Sequence, residues 1–121
     1  MIIYYNANPI NKRVGDCTVR AISKALNQSW EDTYIEMCLQ GLILCDMPSA
    51  NYVWGNYLEE KGYVKNLVPN GCTVEDFCKE HTKGKYLLAT GSHVVAAENG
   101  NYYDTWDSGN EVIIYYFEKE F

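Results

Sequence analysis

The chain has 121 residues, of which 47% are apolar and 21% charged. That is enough for one domain with a real core, and too balanced for a disordered chain. A net charge of −6 argues against direct nucleic-acid binding, which needs a basic face. No apolar run reaches the length of a membrane span.

The first stretch, MIIYYN, is β-branched and aromatic and predicts a short strand. The segment ANPINKRVG, punctuated by Pro9 and Gly15, predicts a loop. MIIYYNANPINKR lacks the basic start and long apolar run of a secretion signal, so a cytoplasmic location is expected by default. Asp16 is then a candidate N-cap. Val19, Ile22 and Leu26 follow at helical spacing with Ala21 and Ala25 beside them, predicting a first helix over Cys17–Leu26. SWEDTYIEMCLQG predicts a second helix. Ser29 and Asp32 form a capping box with Asp in place of Glu, and Gly41 marks its end. LILCDMP is expected to connect it to a third helix, Ala50–Lys61, capped by Ser49 and stopped by Gly62. Thr73, with Asp76 at the third position, opens a fourth helix through Glu80.

After Gly84 the texture changes. KYLLATG, HVVAAE, YYDTWD and EVIIYYFE predict four strands, with Asn99-Gly100 as a two-residue hairpin turn. Helices followed by strands make an α+β plan: N-terminal helices packed on a C-terminal antiparallel sheet, in one domain over residues 1–121.

Five cysteines (Cys17, Cys38, Cys45, Cys72, Cys78) without a secretion signal argue against a disulfide framework. There is no C-x-x-C pair, and His81 and His93 lie twelve apart, so neither a metal nor another cofactor is expected. Cys38, Cys45, Cys72 and Cys78 are expected to pack. His81 is expected to cap a helix end and Glu59-Glu60-Lys61 to face solvent, while Trp54 and Trp106 suit either a cleft or a core.

Cys17 is different, because a helix start favours the thiolate and offers free N–H groups to an oxyanion. A buried cysteine that merely begins a helix is the competing reading. The hairpin supplies a test. A two-residue turn at Asn99-Gly100 makes opposed partners sum to 199, so His93 faces Trp106 and Val95 faces Asp104. His93, Val95, Asp104 and Trp106 then share one face, with Asp104 diagonal to His93 and Asp107 on the other face. These are the parts of an acyl-transfer site: Cys17 as nucleophile, His93 as base and Asp104 orienting the imidazole.

GDCTVRAISKAL, SWEDTY and GSHVVAAENGNYYDTWD together resemble the papain-like cysteine peptidase superfamily. The similarity is greatest to the small phage or prophage domains related to bacteriocin-processing double-glycine peptidases. It runs from about Gly15 to Asp107, in the order Cys, His, Asp. The resemblance implies a papain-like fold whose central helix is headed by Cys17. It also implies hydrolysis of a peptide or isopeptide bond in a peptide or protein partner, by Cys17, His93 and Asp104. The superfamily places an amide six residues before the cysteine as an oxyanion donor. Here that position is Asn11, shorter than the usual Gln, and Asn8 is a second candidate. Two other readings stay open: a catalytically silent, acidic binding module of viral origin that binds or inhibits a host protein, and acyl transfer to an acceptor other than water. The oligomeric state is not legible.

Overall fold

The computed structural model describes residues 1–119. The elements in chain order are β1 (Ile2–Tyr4), α1 (Cys17–Leu26), α2 (Trp30–Leu44), α3 (Asn51–Glu60), β2 (Tyr63–Thr73), α4 (Val74–Glu80), β3 (Lys85–Ala89), β4 (Val94–Glu98), β5 (Asn101–Asp104) and β6 (Val112–Lys119). The fold is α+β. Six strands form one sheet in the order β1-β5-β4-β3-β6-β2.

The sheet is mixed rather than purely antiparallel. β1 runs parallel to β5, pairing Ile3 with Tyr103 and Tyr4 with Asp104. The sheet is also not confined to the C-terminal half, since β1 and β2 come from before α4. β2 has no counterpart in the sequence reading, because Pro69 and Gly71 break its pattern. Its place at the sheet edge, with a register shift between Leu67 and Cys72, is where a strand tolerates such residues.

Both faces of the central strands are covered, so those strands are apolar without alternation. Leu87, Ala89, Val94 and Ala96 pack with Ile22, Met37, Trp54 and Leu58 from α1, α2 and α3. Leu88, Val95 and Ala97 pack with Val74, Phe77 and Cys78 from α4. Each of the larger of these side chains contributes about 1.5–3 kcal/mol by leaving water. α1 lies against β4 through Ala21, Ile22 and Ala25, and its two alanines let the helix come close to the sheet.

Local signals account for most element ends. Ser29 accepts from the Asp32 N–H and Thr73 from the Asp76 N–H, both at 3.1 Å. Asn27 and Cys45 close α1 and α2 in the left-handed conformation. Gly41 does not end α2. It lies inside the helix, where a Cβ would meet Asp46 O at 2.7 Å and Pro48 N at 3.1 Å. The glycine is there so that the α2–α3 connector can fold back onto the helix. α3 is preceded by Ala50 without a side-chain cap, so Ser49 does not serve as one. His81 does cap α4, with Nδ1 2.9 Å from Phe77 O. Cys78 packs as expected, whereas Cys38 on α2 and Cys45 just after it are exposed. No helix among the described residues is long and apolar enough to cross a membrane.

Candidate active site

The hairpin pairs as the turn requires: Glu98 with Asn101, Ala97 with Tyr102, Ala96 with Tyr103. Asn99 and Gly100 have φ of 51° and 84°, the signs a type I′ turn demands. His93 lies one residue before β4 and Asp104 at the last residue of β5. His93 Nε2 and Asp104 Oδ2 are 2.6 Å apart. A carboxylate only accepts, so Nε2 carries the proton and Nδ1 is left for other work.

His93 and Asp104 meet, but not by sharing a face with Val95. Val95 buries on the α4 side of the sheet, among Val74 and Phe77. Cys17 heads α1 on the opposite side, and Asp104 is reached from α1 by Arg20. The pair closes around the sheet end, where strict alternation no longer governs the side chains. Trp106, opposite His93 in the counting, does cover it: the rings are 4.9 Å apart between centroids. Trp106 is 43% exposed and the His93 side chain only 10%, so the indole takes the solvent contact. Trp54 is core, at 1% exposure.

Cys17 meets this pair from the start of α1. Burial pushes its thiol pKa up. The His93 ring, the Val94 N–H and the charges of His93 and Arg20 outweigh that and hold it below the usual thiol value. Cys72 and Cys78 go the other way, Cys78 to about 11, chiefly by burial. Burial also depresses the His93 imidazole, but its bonds to Asp104 and Cys17 overcome this and raise it to about 9. Asp104 is raised by burial and lowered more by His93, Ser108 and the Thr105 N–H, so it stays ionised. The arrangement eases passage of the thiol proton to His93, whose charge an ionised Asp104 supports.

Asp16 occupies the N-cap position of α1, but its side chain caps nothing. It accepts from Arg20 Nη1 at 2.5 Å and Trp30 Nε1 at 2.8 Å instead. Arg20, 4% exposed, also gives Nη2 to Asp104 Oδ1 at 2.9 Å. Ser108 donates to Asp104 Oδ2 at 2.6 Å and the Thr105 N–H to Oδ1 at 2.8 Å. Every lone pair direction on Asp104 is thus used, and charges alternate through Asp16, Arg20, Asp104 and His93. Because the carboxylate of Asp16 is engaged elsewhere, the first N–H groups of α1 stay free to face an anion at Cys17.

Cys17, His93 and Asp104 are brought together. Asn11 lines a depression with Tyr4, Tyr5, Arg13 and Thr105. It holds a left-handed φ of 56°, and its N–H bonds Asn8 O. Asn8 Oδ1 accepts from the Ile10 and Lys12 N–H groups, so its amide oxygen builds the loop. Arg13 ties this loop to Thr105 O. Asp107 binds the Tyr102 hydroxyl and the Gly109 N–H, away from His93. Sequence reasoning missed Arg20 and Ser108. The Asp16–Arg20 spacing of four was a visible signal, whereas nothing local marks Ser108.

Beside the start of α1 runs a groove of about 380 Å³, bordered by Val14, Thr18, Val19, Trp30, Tyr34 and Met47. Among the described residues no cluster of three or more His, Cys, Asp and Glu could hold a metal ion. Compared with protein-family models, curated proteins and solved structures, the chain matches none.

Proposed function

We propose that the chain is a papain-like thiol hydrolase that cleaves a peptide or isopeptide bond through Cys17, His93 and Asp104. The observation that carries the reading is one chain of contacts, from the Cys17 thiol through His93 to a fully bonded Asp104. His93 Nδ1 takes the thiol proton and the sulfur adds to the carbonyl carbon. The free N–H groups at the start of α1 face the oxyanion. The imidazolium then protonates the leaving nitrogen as the C–N bond breaks, leaving a thioester on Cys17. His93 next takes a proton from water as that water attacks the thioester. Collapse of the adduct releases the carboxylate, and the thiolate recovers its proton from His93. Asp104 holds the ring in the tautomer this needs. The cytoplasm is the setting that keeps Cys17 reduced.

The test is acylation by an activated ester such as p-nitrophenyl acetate. The expected result is a burst of one nitrophenolate per chain, with the acetyl group on Cys17 by peptide mass spectrometry. Cys17→Ala should abolish the burst and His93→Gln should slow it strongly. Acetylation of exposed Cys38 and Cys45 as fast as Cys17 would sink the proposal.

A further inference from the structure

Helix α2 turns most of its large apolar side chains outward. Its inner side buries Thr33, Met37, Gln40 and Gly41. Its outer side presents Tyr34, Ile35, Leu39, Leu42 and Ile43, each 50–74% exposed, with Cys38 exposed among them. A helix facing water normally carries polar residues there. Glu36 does not interrupt the stripe, because it is drawn toward the Tyr57 hydroxyl and Lys61.

Two properties of the stripe point to its occupant. The six positions form two rows, 34-38-42 and 35-39-43, each along an i±4n ridge. Ridges of this kind interdigitate with their own kind, at a crossing angle of about −50°. The pattern also reads the same in reverse about the midpoint of Cys38 and Leu39. Tyr34 mirrors Ile43, Ile35 mirrors Leu42, and Cys38 mirrors Leu39, so a twofold axis at that midpoint sets apolar positions against apolar positions. Met47 extends the patch, bordering Tyr34 and Cys38 on one side and Leu42 and Cys45 on the other. At on the order of 150–200 Å² per large side chain, the patch offers roughly 600–700 Å². That approaches the ~800 Å² that each partner buries in a standard interface.

We infer that α2 is the face through which two copies of this chain associate, antiparallel across a twofold axis near Cys38 and Leu39. Each copy carries −6, and Asp46 borders the patch beside Leu42 and Met47. Salt therefore screens the repulsion without weakening the contact.

Sedimentation of the full chain tests this over about 1–100 µM, a range in which an interface of modest quality dissociates. The expected result is a monomer–dimer equilibrium shifted toward dimer by added salt. Leu42→Lys should give monomer with unchanged circular dichroism, since Leu42 is 74% exposed and supports no core. A short bismaleimide should link two chains through Cys38: the link is lost in Cys38→Ser and kept in Cys45→Ser. A wild-type chain that stays monomeric at about 100 µM overturns the inference. So does a dimer that survives Ile35→Lys with Leu42→Lys, or a crosslink that survives Cys38→Ser. The association does not depend on the chemistry of Cys17, and Cys17→Ala should dimerise as the wild type does.

Discussion

Replacing Asp104 with Asn tests whether the ionisation of Cys17 is held through His93. Asn keeps the shape and can still accept from the Thr105 N–H, but it removes the charge opposite His93 Nε2. His93 is raised from 6.5 to about 9 by Asp104 and Cys17 together, against the cost of burial. At about 1.36 kcal/mol per pKa unit the net rise is roughly 3 kcal/mol, with Asp104 the larger of the two partners that cause it. Without it only Cys17 opposes the effect of burial, so His93 holds its proton less tightly and does less to lower the Cys17 thiol. The rate of Cys17 alkylation by iodoacetamide at pH 6.5 should then fall roughly 10- to 30-fold. Following the Cys17 peptide by mass spectrometry separates it from Cys38 and Cys45. Ser108→Ala is the control, since it removes one donor to Asp104 and leaves the charge; its rate should change less than about threefold. If Asp104→Asn is folded and alkylates at the wild-type rate, the relay from Asp104 through His93 to Cys17 is wrong.

The pH dependence of stability carries a definite sign. His93 binds its proton more tightly folded than unfolded, so its contribution is fully present just below pH 6.5 and is lost as pH rises through about 9. The wild-type thermal midpoint should fall across that window, and the His93→Gln midpoint should fall less; parallel curves would refute the pairing. Asp104 works at the acid end, where its depressed pKa gives stability that is present above 3.8 and lost as pH falls through its folded value. Arg20→Met removes the guanidinium that bridges the buried carboxylates of Asp16 and Asp104. It should cost about 3–5 kcal/mol in urea unfolding, and a loss under 1 kcal/mol would show the bridge to be dispensable. Gly41→Ala drives a methyl group against backbone atoms at 2.7 and 3.1 Å and should cost about 1–3 kcal/mol by the same assay.

Much of this protein is legible in its order of residues. Helix caps at Ser29 and Thr73 act through bonds three residues away, so they can be read locally. The register of β4 on β5 follows from Asn99-Gly100, because a two-residue turn leaves no freedom in the count. That count brought His93 and Asp104 together on paper. Cys17 at a helix start was equally visible. β2 was not, because an edge strand can carry Pro69 and Gly71 that would disqualify an inner one. Gly41 misled for a related reason: a glycine inside a helix looks like a stop unless one knows that the connector must pass within contact of it.

What the sequence determined alone is short in range: helix ends, the hairpin turn, the apolar strands and the residue types able to form a triad. Tertiary structure decided which of them meet. Cys17 and His93 are 76 residues apart, and only the packing of α1 against β4 brings the thiol to the imidazole. Arg20 becomes part of the site because its helix buries it between two carboxylates, and no sequence spacing encodes the second one. The same packing turns Asp16 from a helix cap into an ion-pair partner. A cap needs only its own helix, whereas a buried charge must find its counterion wherever the fold excludes water.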